Sequence, residues 1–179
     1  MSQHMKRANE SNSFGQTPLH LAVRIQQFSL VHNLIQKGAN INTVDIFDNT
    51  PLSLACIEKP DQKMVAFLLH RGADVNLERR LHMDLFLECV LNCYSIKQLE
   101  IINLLIDEGI NVNTTDKVNN RNCMHIVAIT GYIPLAVFLL EKGAILNIKD
   151  NFEITPILLA KIHRNTEILK LFELHLANG

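Results

Sequence analysis

One phrase of about 33 residues is written several times along this chain. Apolar residues in matching context fall at Leu19, Leu52, Leu85, Met124 and Ile157, in steps of 33, 33, 39 and 33. Glycines fall at Gly38, Gly72, Gly109 and Gly143, in steps of 34, 37 and 34. Between these landmarks the wording recurs: "TPLHLAV…LVHNLIQKGANIN" from Thr17, "TPLSLAC…MVAFLLHRGADVN" from Thr50, and "NCMHIVAITGYIPLAVFLLEKGAILN" from Asn122. A unit this short cannot bury its apolar face alone, so such a chain folds by stacking each unit on the next.

Each unit reads as helix, turn, helix and extended finger. Thr supplies an oxygen acceptor at the helix start, and Pro fits the first turn, where its missing N–H costs nothing. The Leu-x-Leu-Ala segment makes a short inner helix packed through Leu and a small Ala. The second helix carries aliphatics at helical spacing, such as Leu30, Val31, Leu34 and Ile35. The glycines follow its last turn, where a residue with positive φ is wanted.

In these motifs the chain resembles the ankyrin-repeat family, whose unit carries Thr-Pro-Leu-His and Gly-Ala-Asp-Val-Asn. "GQTPLHLA" with "GANIN", and "TPLSLA" with "GADVN", carry the likeness, and repeats three and five are the divergent copies. The resemblance implies an all-α solenoid of five helix-turn-helix units with β-hairpin fingers. The repeats fall at 14–45, 46–78, 79–116, 117–150 and 151–179, behind a polar lead-in at 1–13. That lead-in, "MSQHMKRANESNS", is aperiodic and reads as loose; a second Met directly after His4 sets residues 1–5 apart as an expression remnant.

Two copies break the pattern. Aligned on Leu85, repeat three puts Met83-Asp84 at the Thr-Pro position, Glu88 at the slot of Ala22 and Ala55, and five extra residues before the glycine. A local rotation or bend of the helix to expose Glu88 is the expected accommodation, with the extra residues taken up around Cys89 to Gln98. Repeat five lacks the Gly-Ala ending. Lys161, Arg164, Glu167, Lys170, Glu173 and His175 can give it the polar outer face that a solenoid end needs. Leu174 and Leu176 can instead seat on a partner, a second copy or a continuation of the array.

Composition narrows the function. With 17 basic and 18 acidic residues the net charge is -1, which gives no electrostatic argument for nucleic acid or an anionic membrane. The longest apolar runs, such as Ile133 to Leu140, are too short to span a bilayer. Cys56, Cys89, Cys93 and Cys123 have no framework spacing, so a reducing compartment, cytoplasmic or nuclear, is expected. No phosphate-binding glycine loop is present. Cys89 and Cys93, with His82, do not make the four-ligand spacing of a zinc site, so no metal and no cofactor are expected. No Cys–His nucleophile with an orienting third group is legible, so no enzyme and no small-molecule substrate are expected. His20 and His125 share one motif position, which in the family bridges neighbouring repeats by hydrogen bonding.

The resemblance places partner binding on finger tips and on the concave inner-helix face. Carried over repeat by repeat, the first finger offers Phe14 and Gln16, and the second Ile46, Phe47 and Asn49. The third offers Arg79, Arg80 and His82, the fourth Val118, Asn119 and Arg121, and the fifth Asn151, Phe152 and Ile154. The inner-helix positions are Arg24 and Ile25, Ile57 and Glu58, Ile129 and Thr130, and Ile162 and His163. Phe47 and Phe152 stand at the same place in "VDIFDNTP" and "IKDNFEITP", facing either a partner or the adjacent finger. The reading is a non-catalytic protein-binding scaffold, an adaptor or competitive inhibitor similar to short inhibitor-of-NF-kappa-B-like ankyrin proteins. The alternative is a recognition or assembly domain of a larger protein.

Overall fold

A computed structural model describes residues 7–78 and 84–178. Among the described residues, five pairs of helices follow one another. They are α1 (Pro18–Arg24) with α2 (Phe28–Gln36), and α3 (Pro51–Ile57) with α4 (Gln62–His70). Next come α5 (Leu85–Leu91) with α6 (Ile96–Asp107), and α7 (Cys123–Thr130) with α8 (Ile133–Glu141). The last pair is α9 (Pro156–Ile162) with α10 (Thr166–Asn178). The first helix of each pair packs on its counterpart in the next, so α1, α3, α5, α7 and α9 form one inner row. A single apolar core runs from Leu19 in α1 to Phe172 in α10. Among the described residues the fingers between pairs contain no strand; they close as short turns.

Local chemistry sets the helix ends. Thr17, Thr50 and Thr155 are N-caps in extended backbone, each followed by Pro at the first helical position. At the end of α4 the amide of Gly72 bonds the carbonyl of Leu69 at 2.9 Å, and that of Ala73 bonds Leu68 at 3.0 Å. This double closure needs a left-handed residue between helix and finger, and Gly72 supplies it at φ +88°.

Repeat three sits one residue away from the sequence alignment. Asp84 is the N-cap of α5 and accepts the N–H of Phe86, so Asp84 replaces Thr, and Leu85 stands where the other repeats have Pro18 or Pro51. The residue matching Leu19 and Leu52 is therefore Phe86, wholly buried, and the steps around it are 34 and 38. The small-residue slot of Ala22 and Ala55 holds Cys89, which is buried. Glu88 takes the position of Leu21 and Leu54, and no rotation of the helix is required to accommodate it. The insertion shrinks from five residues to four relative to repeat one. Three lengthen α6, which has 12 residues where α2 has 9, and one lengthens the link before it.

The lead-in is not loose from Arg7 onward. Ala8 is buried, and Asn9 donates its amide to the carbonyl of Gly38 at 2.9 Å while accepting the N–H of Asn40 at 2.7 Å. Asn42 grips Gly72 and Asp74 in the same way, and Asn113 grips Gly143 and Ile145. Residues 7–13 thus dock as a finger does. In repeat five, α10 runs for 13 residues and buries Ile168 and Phe172. Lys161, Arg164, Glu167, Lys170, Glu173 and His175 are exposed around it, as are Leu174 and Leu176.

Candidate interaction surface

Each described finger is organised by one Asp or Asn at its base. The side chain of Asp45 accepts the N–H groups of Phe47 at 2.9 Å and Asn49 at 2.8 Å. Asp150 does the same for Phe152 at 2.9 Å and Ile154 at 3.0 Å. Asn12 holds Phe14 and Gln16, and Asp116 holds Val118, Asn119 and Arg121. The chain then turns back through a left-handed residue: Gly15, Asp48, Asn120 or Glu153. A side-chain oxygen that gathers the N–H groups two and four residues on turns the residue two positions on to the outside of the turn. Phe14, Phe47, Val118 and Phe152 are those residues, and they are 51%, 50%, 78% and 66% exposed. Ile46, next to Phe47, is also exposed.

The returning residues go the other way. Gln16 is buried, Asn49 and Arg121 are half-buried, and Ile154 packs against the core. They are foundations of the fingers, not tips. The carbonyl of Asn49 accepts from Nε2 of His20 at 3.1 Å, and that of Ile154 accepts from Nε2 of His125 at 3.0 Å. In both histidines Nδ1 lies 3.2 Å from a backbone N–H, of Thr17 or Asn122, and closer still to that residue's side-chain oxygen, at 2.9 Å from Oγ1 of Thr17 and 2.7 Å from Oδ1 of Asn122. Burial is the main cause that lowers both histidines below their ordinary value, so the rings stay neutral.

Arg121 binds the next finger's base, its Nε donating to Oδ2 of Asp150 at 2.9 Å. Burial works against the charge of Asp150, whose side chain is fully covered. The N–H of Ile154, the guanidinium of Arg121 and the N–H of Phe152 outweigh it and hold the carboxyl below its usual value. Gln16 makes a longer version of this link to Asp45, at 3.4 Å.

Neighbouring fingers also join at their tips. The N–H of Ile46 bonds the carbonyl of Phe14 at 3.1 Å, and the two phenylalanine rings stack with centroids 6.2 Å apart. Phe47 therefore faces its neighbour and solvent at once. At the other end the N–H of Asn151 bonds the carbonyl of Asn119, and its side chain bonds that of Val118, both at 2.9 Å. Asn151 and Asn119 are braces between fingers. Among the described residues no aromatic ring stacks on Phe152. The predicted site residues Arg79, Arg80 and His82 lie outside the described residues.

On the inner-helix face Arg24 and Glu58 form a bidentate pair at 2.9 and 2.8 Å. One position recurs there as Arg24, Ile57, Leu91, Ile129 and Ile162. Leu91, 40% exposed, escaped sequence reasoning because it depends on the corrected register of repeat three. Ile25 and His163, one position further on, are exposed. Burial pushes the thiols of Cys93 and Cys123 up to about 11 and about 12, so neither ionises near neutrality. Among the described residues no three His, Cys, Asp or Glu side chains gather to hold a metal ion.

The family model for ankyrin repeats in three copies matches residues 2–79 and again 90–176. The chain belongs to the ankyrin-repeat family. Its first match begins ahead of Ala8 and Asn9, in agreement with their finger-like docking. Relatives include the nuclear factor NF-kappa-B p105 subunit of Gallus gallus, 33% identical over 135 residues, 75% of this chain and 14% of the relative. The neurogenic locus notch homolog protein 1 of Homo sapiens is 28% identical over 152 residues, 85% of this chain and 6% of the relative. The B-cell lymphoma 3 protein homolog of Mus musculus is 25% identical over 196 residues, 89% of this chain and 43% of the relative. The chain thus spans less than half the length of each of these proteins. An ankyrin-repeat array is a protein-interaction module, and among the described residues no helix is long and apolar enough to cross a membrane.

Proposed function

We propose that this ankyrin array is a non-catalytic scaffold that captures one protein partner across several repeats, as an adaptor or a competitive inhibitor. The observation that carries the reading is the set of tips Phe14, Ile46, Phe47, Val118 and Phe152. They are apolar and exposed, and the backbone beneath those of the described turns is fixed by buried or half-buried polar groups. A rigid base lets apolar tips bind with little loss of conformational freedom, which favours affinity. Large aromatic side chains are also the usual anchors of an interface. The histidines that a nucleophilic mechanism would need have both ring nitrogens committed to backbone. We place the protein in a reducing compartment of the cell, cytoplasm or nucleus, on its four free and buried cysteines.

Likeness to the NF-kappa-B p105 subunit supports an inhibitor whose partner is of the NF-kappa-B class. Affinity capture from native lysate with the wild-type protein and the Phe47→Ser/Phe152→Ser variant tests the reading. A protein held by the first and lost by the second, with both baits folded, supports it. Equal capture by both baits removes the fingers from the function. A second reading, a recognition module of a longer protein, draws on the small fraction of each relative that the chain spans. The mass of the endogenous protein separates the two. Self-association through the exposed Leu174 and Leu176 of α10 predicts a concentration-dependent sedimentation coefficient.

A further inference from the structure

Resting on the interaction reading above, we infer that the outer helices α2 and α4 form a second docking surface, which takes a short acidic segment of the protein partner around Arg71. Neither helix carries an Asp or Glu, whereas α6, α8 and α10 carry Glu100, Asp107, Glu141, Glu167 and Glu173. Lys63 in α4, its C-cap Arg71 and the C-cap of α2, Lys37, are exposed cations. Among the described residues no carboxylate pairs with any of the three. Farther along the outer helices the charges are neutralised within the molecule, as Lys142 pairs with Asp107 and Lys170 with Glu167. The two acids that flank α4 are occupied by backbone: Asp61 accepts the N–H groups of Lys63 and Met64, and Asp74 that of Asn76.

Arg71 is held in place by its neighbours. Its guanidinium carbon lies over the Phe67 ring, 5.0 Å from the centroid. Arginine can only donate, so Nδ1 of His32 accepts from Nη2 of Arg71, at 3.2 Å across the boundary between repeats one and two. The ring beneath is fixed in turn, with Phe28 edge-on at 5.7 Å and His32 at 5.9 Å. The other N–H groups of Arg71 have no partner among the described residues, and a guanidinium takes a carboxylate through two of them at once. Because the side chain is already ordered, binding costs it little further freedom. Lys63, Phe67 and Arg71 follow at four-residue spacing along one side of α4. The two charges thus stand about 12 Å apart, the reach of about four residues of extended chain. The patch is too short for a polyanion. Next to it α6 presents Glu100, Asp107 and its C-cap Glu108, all exposed, so a nucleic acid lying along the outer helices would run from cations onto carboxylates.

The probe is a labelled peptide of about ten residues alternating Glu and Gly, long enough when extended to pass both Lys63 and Arg71. The control replaces every Glu with Gln. The inference predicts binding of the Glu peptide at least about fivefold tighter than the control in low salt, a preference lost in high salt. NMR shifts should appear at the Arg71 Nε–H and the Phe67 ring. Arg71→Gln should weaken binding about fivefold, and so should Lys37→Gln/Lys63→Gln, which leaves the melting temperature unchanged because neither lysine pairs within the molecule. Lys97→Gln/Arg164→Gln, which removes two exposed cations elsewhere, should leave binding within about twofold. Equal binding of both peptides, binding of neither, or as large a loss from Lys97→Gln/Arg164→Gln as from Lys37→Gln/Lys63→Gln overturns it. So does tighter binding of a labelled single-stranded oligonucleotide, or a wild-type dimer in sedimentation that Arg71→Gln dissolves. Failure here while capture still depends on Phe47 and Phe152 removes the acidic-segment inference alone and leaves the interaction reading standing.

Discussion

Gly15 and Gly72 allow one substitution to be read in two ways. Both have left-handed backbone, at φ +71° and +88°, so Gly→Ala imposes the same conformational cost of about 1–2 kcal/mol at each. Their surroundings differ. An alanine Cβ at Gly72 would meet nothing within 4 Å. At Gly15 it would lie 3.2 Å from the backbone nitrogen of Ile46 and 3.3 Å from the Cα of Asp45, both parts of the adjoining finger. The neighbouring backbone must give by a few tenths of an ångström there, which strains the bond from Ile46 N–H to the Phe14 carbonyl, a further cost of up to about 1.5 kcal/mol. Gly72→Ala is thus expected to cost about 1–2 kcal/mol and Gly15→Ala more, up to about 3.5 kcal/mol. Urea denaturation measures the totals. Because repeat arrays depart from two-state behaviour, amide exchange at Ile46 locates the damage. In Gly15→Ala the Ile46 amide should exchange faster while Gly72→Ala leaves it protected. Equal costs, or an unchanged Ile46 amide in Gly15→Ala, would refute the close contact between the first two fingers.

Asp150→Ala removes the acceptor for two backbone N–H groups and for Arg121. A loss of about 3–5 kcal/mol is expected, with Asp150→Asn milder because it keeps one acceptor oxygen; equal losses would sink the role of the charge. Since the folded carboxyl sits below the ordinary aspartate value of 3.8, the stability from Asp150 is present above that value. It is lost as pH falls through the folded pKa. His20 and His125 act at higher pH. Their folded values lie below 6.5, so their contribution is complete above 6.5 and declines as pH drops through it toward the folded values. Melting temperature should fall between pH 7.5 and pH 5.5, and His20→Gln/His125→Gln should flatten that slope; a slope that survives the double substitution points elsewhere. Phe86→Ala should cost about 3–5 kcal/mol as a wholly buried ring. Asp84→Ala, losing a cap, should cost about 1 kcal/mol; a silent Phe86→Ala would contradict the register of repeat three.

The helix signals were legible because they are local. Thr17-Pro18 caps and starts a helix by its own chemistry, and Gly72 ends one. The two copies of Asp-x-Phe ahead of Thr-Pro likewise pointed to Phe47 and Phe152, since the Asp side chain fixes the residue two places on. The return path was hidden, because which side chains face inward depends on the left-handed turn at Asp48 or Glu153. Asn49, Arg121, Asn151 and Ile154 were therefore grouped with the tips although they anchor or brace the fingers. Repeat three was misread because Asp can cap as Thr does, while the apolar run Leu85-Phe86-Leu87 offers two registers. A signal for the docked lead-in existed: Asn9 and Asn12 precede Asn42 and Asp45 by 33 residues each.

The central claim is that apolar finger tips on a fixed base hold a protein partner. Titration of the captured partner against wild type and Phe47→Ser/Phe152→Ser, with melting curves alongside, tests it most directly. Removing two exposed aromatic anchors should raise Kd by close to a thousandfold, at roughly 2 kcal/mol for each ring, and leave the melting temperature within a few degrees. An unchanged Kd, or a collapse in stability that accounts for the lost binding, would contradict it.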